Sequence, residues 1–273
     1  MRRLLVPLLG LVALALPGCA SLAPEPATPA PGHLGQILAS GELRVGLTGN
    51  QPPLNMRNRA GEIFGFEVDI ARALGDSMGL ETRLVPLPFA ELLPALERGD
   101  VDIVISGMTI TAERNARVAF AGPYLVSGKS ILTRSPELAR AETVAELDSA
   151  GRTYVALAGS TSESFVKRRL PSAQLRGTPD YDSAVEMVRK GEVDALVADF
   201  PFCAVSILRF PGEGLAMLHS PLTIEPLGVA LPPRDPLFVN LVENYLDTLE
   251  ETGLLARLKV RWFSDGSWVS ELR

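Results

Sequence analysis

Cysteine, histidine and concentrated basic charge are scarce in this 273-residue chain, and each shortage removes a class of function. Cysteine occurs only at Cys19 and Cys203, so the fold rests on an apolar core and not on a disulfide framework. Cys203 lies in an apolar run and reads as a small buried hydrophobe. Histidine occurs only at His33 and His219, which leaves no histidine metal site and no serine–histidine–aspartate triad. No glycine loop of the phosphate-cradling kind is present. The longest basic run, Lys167-Arg168-Arg169, reads as the solvated face of a helix, so nucleic acid is not an expected partner. Neither a metal nor an organic cofactor is expected.

A long apolar run is also missing. Leu4 to Leu16 is too short to cross a bilayer as a stable helix, and Pro7 and Pro17 weaken it further. With Arg2 and Arg3 ahead of it, and Leu16-Pro17-Gly18-Cys19 at its end, residues 1–18 read as an export signal. The segment resembles a bacterial lipoprotein signal, which implies that Cys19 is lipidated and anchors the protein to a membrane. Ala20 after the cysteine leans towards the outer membrane in a Gram-negative host. Residues 19–32, with Pro24, Pro26, Pro29 and Pro31, cannot build a core and suit an extended tether. Removing residues 1–18 deletes two arginines and takes the formal charge from −6 to about −8.

What is present is an internal echo. Ala95 to Gly107, reading ALERGDVDIVISG, parallels Met187 to Asp199, reading MVRKGEVDALVAD. Each reads as a helix end, a glycine terminator (Gly99, Gly191) and a strand apolar on both faces, at Val101–Ser106 and Val193–Ala198. Phe89, Leu92, Leu93 and Leu96 share one helical face before the first strand; Ala184, Val185 and Val188 do so before the second. Leu43–Leu47 and Tyr154–Ala158 are further strands, and helices are expected at Glu67–Met78 and about Ser162–Arg169. The pattern predicts an α/β protein of two lobes with parallel central sheets. Ligands of such sheets gather beyond the carboxyl ends of the strands, here Thr48–Gln51, Gly107–Thr109, Gly159–Ser162 and Asp199.

Those tips carry suitable chemistry. Thr109-Ile-Thr-Ala-Glu-Arg114 starts a helix with Thr111 as its N-cap, and puts Arg114 in the first turn, where its charge opposes the helix dipole. A cation there points to an anion, either a structural partner or a ligand carboxylate gripped by both nitrogens. Gly159-Ser-Thr-Ser162 is a turn whose amides and hydroxyls can receive an anion or merely cap a helix. Asp199 can meet a ligand ammonium or serve as a turn residue. One anion corner and one carboxylate fit a zwitterion.

The chain resembles the bacterial extracellular solute-binding proteins of family 3, the amino-acid receptors of ATP-driven importers. The likeness spans residues 41–263 and is carried by Gly41 to Gly46, Pro52-Pro53, Gly65-Phe-Glu-Val-Asp69, Ser106 to Arg114, Phe120-Ala-Gly-Pro-Tyr124, Val193 to Asp199 and Gly253 to Trp262. It implies the two-lobed periplasmic-binding-protein fold of type II with two crossovers, lobe one at roughly 33–129 and 225–273, lobe two at 130–224. It also implies a periplasmic protein that closes on its ligand by hinge bending and hands it to an ABC permease. By this resemblance Arg114 and Thr109 hold an α-carboxylate with Gly107 and Thr161, and Asp199 takes the ammonium. Phe89 then packs on the ligand side chain, unless it is only a core residue of its helix. Relatives place an acid near Thr48 and aromatics near Gln51 and Leu54; their absence disfavours a basic ligand side chain.

A second resemblance points to an enzyme. Phe120 to Lys129, Gly159 to Phe165 and Arg169 to Leu175 are similar to segments of cyclohexadienyl (prephenate/arogenate) dehydratases. That likeness implies Glu163 as proton donor to a leaving hydroxyl. A glutamate just inside a helix also complements the dipole with no chemistry at all. A sensory binding lipoprotein using the same cleft without transport is the third alternative.

Overall fold

The computed structural model describes residues 32–272; the export signal, Cys19 and most of the tether expected from the sequence lie outside them. In chain order the first lobe runs α1 His33–Ser40, β1 Glu42–Leu47, the hairpin strands β2 Met56–Arg57 and β3 Ile63–Phe64, α2 Phe66–Met78, β4 Glu81–Pro86, α3 Phe89–Arg98, β5 Ile103–Val104, α4 Ala112–Asn115 and β6 Ala119–Ser127. The second holds β7 Lys129–Thr133, α5 Val144–Leu147, β8 Thr153–Leu157, α6 Thr161–Arg169, β9 Gln174–Thr178, α7 Tyr181–Arg189, β10 Ala195–Asp199, α8 Phe200–Arg209 and β11 Ala216–Met217. The chain returns to the first with β12 Glu225–Leu231, α9 Pro236–Glu251 and α10 Leu254–Lys259.

The two main sheets have strand orders β4-β1-β5-β12-β6 and β11-β7-β10-β8-β9. β4, β1 and β5 run parallel, as do β9, β8 and β10. This is the parallel core that the apolar strands imply. Each sheet is nevertheless mixed, because β12 in the first and β7 in the second are antiparallel to both neighbours. The cause is topological. Both crossovers, at Gly128 and between β11 and β12, lie at the ends where the parallel strands finish. A strand that enters a lobe from there starts where its neighbours stop and must run against them.

Local sequence explains the elements. Gly99 and Gly191 adopt φ of 77° and 70° and close α3 and the turn after α7. On α3 the face formed by Phe89, Leu92, Leu93 and Leu96 is buried, and on α7 so are Ala184, Val185 and Val188. One apolar cluster joins these two faces with Val155, Leu157, Leu196 and Phe202 of the second lobe, so α3 packs within a core shared by both lobes. Cys203 is fully buried in the same cluster, and burial drives its thiol pKa up.

β5 is two residues long where the apolar run allows six. Side-chain oxygens at its flanks take the amides that a longer ladder would use. Asp102 accepts from the Arg44 amide at 2.7 Å, and the Ser106 hydroxyl from the Thr48 amide at 3.0 Å.

Candidate functional site

The tips of β1, β5, β8 and β10 meet between the lobes. The first lobe supplies a floor organised by Glu67, which is wholly buried on α2. One of its oxygens accepts from the Gly107 amide at 2.6 Å and from the Tyr124 hydroxyl, and the other from Asn55 Nδ2 at 2.6 Å. Asn55 Oδ1 in turn accepts from the Gly49 amide at 2.6 Å and the Thr48 hydroxyl at 2.9 Å. Burial pushes the Glu67 carboxyl above the usual carboxylate range, against the lowering effect of these hydrogen bonds. The network fixes the loop after β1 to the tip of β5. Gly107 has φ of 56°, and a Cβ there would lie 2.4 Å from Gln51 Nε2, so the Gln51 carboxamide rests on the glycine. Because the Gly107 amide is taken by Glu67, its remaining backbone group for a ligand is the carbonyl.

Arg114 bridges the lobes. Thr111 caps α4 by accepting from the Arg114 amide at 3.2 Å, as the sequence suggests. The guanidinium donates to the Thr109 carbonyl at 3.0 Å in its own lobe and to the Gly159 carbonyl at 3.2 Å in the other. Its carbon lies 5.6 Å from the centre of the Phe89 ring. Burial pulls its pKa down, and the negative charges of Glu225 and Asp199 oppose that. Beside it the Thr109 and Thr161 hydroxyls approach to 3.3 Å across the lobe boundary. A concavity of about 440 Å³ opens here, lined by Phe89, Arg114, Gly159, Ser160 and Thr161 among others. At the start of α6, Ser160 caps the helix through the Glu163 amide, leaving the first-turn amides of Thr161 and Ser162 as donors outside the helical ladder.

Asp199 lies deeper and is 4% exposed. Lys129 Nζ donates to its Oδ1 at 2.7 Å, Gln51 Nε2 to its Oδ2 at 3.4 Å, and Glu225 Oε2 stands 3.7 Å from the same ammonium. Tyr181 stacks on Phe202 with centroids 4.2 Å apart; burial, then the nearby Asp199 charge, raises its hydroxyl well above the ordinary value. Arg114, Thr109, Gly107, Thr161, Phe89, Gln51 and Asp199 thus gather at one interlobe region.

Glu163 stands at its edge. It accepts from Lys167 Nζ at 2.7 Å and from the Gly159 amide at 2.9 Å. Partial burial works to raise its pKa, but Lys167 and the Gly159 amide outweigh that, and the carboxyl ends lower than usual. It is held as a carboxylate. Lys167, Arg168 and Arg169 are exposed on α6. Among the described residues no group of His, Cys, Asp and Glu is arranged to hold a metal, and no helix is long and apolar enough to cross a membrane.

Lys129, Glu225, Glu67, Asn55 and Tyr181 belong to the site and are not marked out by the sequence pattern. Lys129 opens the strand Lys-Ser-Ile-Leu-Thr, all of it buried, and a buried lysine demands a carboxylate partner, but only the fold shows that burial.

Three comparisons bear on this arrangement. The profile of the bacterial extracellular solute-binding proteins, family 3, matches residues 43–265. A cyclohexadienyl dehydratase of Pseudomonas aeruginosa is 31% identical over 230 residues, covering 84% of this chain and 85% of that protein. The L-cystine-binding protein TcyJ of Escherichia coli is 26% identical over 232 residues, covering 85% and 86%. Among solved structures, the ancestral amino acid-binding protein AncCDT-1, described as a precursor of cyclohexadienyl dehydratase, superimposes with a TM-score of 0.79 at 32% identity, covering 85% of this chain and 100% of that one. A binding component of an ABC transporter from Wolinella succinogenes, complexed with lysine, gives 0.79 at 37% identity, covering 84% and 99%.

Proposed function

The chain belongs to the bacterial extracellular solute-binding proteins of family 3, and from that premise we propose that it captures an amino acid or similar small carboxylate between its lobes. In this reading Cys19 is lipidated, the protein faces the periplasm on a membrane tether, and an ABC permease receives the ligand.

The observation that carries the reading is the placement of Arg114. Its guanidinium is half-buried and reaches carbonyls of both lobes, partners far weaker than the carboxylate its fork fits. A ligand carboxylate replacing them would be held by both nitrogens, by the Thr109 and Thr161 hydroxyls and by the first-turn amides of α6. Since each lobe contributes donors, such a ligand favours the closed arrangement.

A thermal-shift screen of amino acids and small carboxylates tests this. A ligand at 100 times its dissociation constant adds about 2.7 kcal/mol, which for a domain of this size raises the melting temperature by roughly 5–10 °C. A screen in which no carboxylate moves the transition contradicts the proposal.

The 31% identity to a dehydratase supports a second reading, with Glu163 as the acid. Its carboxyl would give a proton to a departing hydroxyl, which leaves as water. The ion pair with Lys167 opposes this, because it stabilises the form that has no proton to give. Purified protein that turns over prephenate or arogenate and loses that activity on Glu163→Gln would establish the enzyme; absence of turnover excludes it.

A further inference from the structure

Lys129 lies at the buried end of the site, beside Asp199. Its side chain is 2% exposed and donates to Asp199 at 2.7 Å. A lysine ammonium is the same chemical group as the ammonium of an amino acid, a compact cation with three N–H donors. Asp199 Oδ2 meanwhile faces the Gln51 carboxamide at 3.4 Å, so both carboxylate oxygens already have donors from the chain itself.

Resting on the proposal that Arg114 takes a ligand carboxylate, we propose that Lys129 stands where a ligand ammonium would, so that the cleft prefers 2-oxo and 2-hydroxy acids to the matching amino acids. For a ligand ammonium to reach Asp199, two cations would have to share one carboxylate away from water, where charges are weakly screened and like charges repel strongly. The alternative is withdrawal of Lys129, and its backbone is fastened on every side. Its amide donates to the Thr223 hydroxyl at 2.9 Å, its carbonyl accepts from the Leu222 amide at 2.7 Å, and it pairs with Asp199 across the β7–β10 ladder. Glu225 is the other carboxylate facing Nζ. It stands 3.7 Å away and accepts from the Thr223 hydroxyl at 3.0 Å, so it shares Lys129 rather than offering a separate anion. An uncharged oxygen on the α-carbon meets no such conflict. It can accept from an N–H of Lys129 not given to Asp199 or from the Gln51 amide.

The test is calorimetry on the purified full chain with matched pairs: phenylpyruvate and phenylalanine, 2-oxoglutarate and glutamate, pyruvate and alanine. Wild type should bind at least one oxo acid, and each oxo acid that binds should do so at least tenfold more tightly than its amino acid. In Lys129→Met and Lys129→Gln, which remove the charge and keep the length, that ratio should fall tenfold or reverse. The wild-type ratios decide the matter even if both variants fail to fold. Tighter binding of the amino acids by wild type, or an unchanged ratio in a folded variant, overturns the role of Lys129 and leaves the carboxylate site standing. If no member of any pair binds to wild type, the preference for oxo acids is overturned, while the carboxylate reading is decided by the thermal-shift screen.

Discussion

At the scale of single residues, the site combines groups that a sequence displays openly with groups it conceals. Arg114, Thr109 and Asp199 were legible because each follows an apolar strand or opens a helix, and chain position alone sends such residues to the carboxyl edge of a sheet. Lys129 and Glu67 were not, because what makes a buried charge tolerable is a set of partners distant in sequence. Glu67 gives a pH test. Its folded pKa is raised above the unfolded value, so its contribution to stability is complete below about pH 4.3 and is lost as pH rises through the folded value. The loss is about 1.4 kcal/mol for each pH unit between the two values. Urea unfolding from pH 4.5 to 8 should therefore show wild type losing stability relative to Glu67→Gln, which does not titrate. Parallel curves would remove the burial argument. Asp102 shifts the opposite way: desolvation works to raise it, but the hydrogen bonds from Arg44 and the nearby His33 ring outweigh that, and it is common to both proteins and cancels.

At the scale of elements, the repeated unit of helix, left-handed glycine and apolar strand was readable twice, and α3–β5 and α7–β10 realise it. The reversal of β7 and β12 was not readable. A strand buried on both faces has the same apolar composition in either direction, and direction is set by where the chain enters the sheet. The length of β5 was hidden for a related reason, since Asp102 and Ser106 replace ladder carbonyls only once Arg44 and Thr48 lie beside them. The first crossover, at Gly128, has no room for bulk. A Cβ at Gly128 would lie 2.2 Å from the Thr223 carbonyl oxygen, which is backbone and cannot swing aside. Gly128→Ala should cost about 2 kcal/mol or more in urea unfolding, within the range of overpacked sites. Gly151→Ala, where a Cβ meets nothing within 4 Å, should change stability by less than about 0.5 kcal/mol. Equal effects at the two positions would contradict the packing described for the crossover.

At the scale of the whole molecule, the two lobes share the apolar cluster around α3, and three polar contacts cross the boundary beside it: Arg114 to Gly159, Thr109 to Thr161 and Gln51 to Asp199. Each joins a residue close to the carboxyl edge of one sheet to a residue close to that of the other. The sequence supplied the tips but not their facing, because lobe orientation depends on both crossovers together. A boundary of this kind suits a molecule that opens and closes, and under the proposed function ligand and closure would share the same residues. The central claim, that Arg114 holds a ligand carboxylate there, is tested most directly by calorimetry of Arg114→Ala with the ligand that gives the largest thermal shift in wild type. The dissociation constant should rise at least 100-fold, about 2.7 kcal/mol, while cooperative unfolding is retained; near-normal affinity in the folded variant would contradict the assignment.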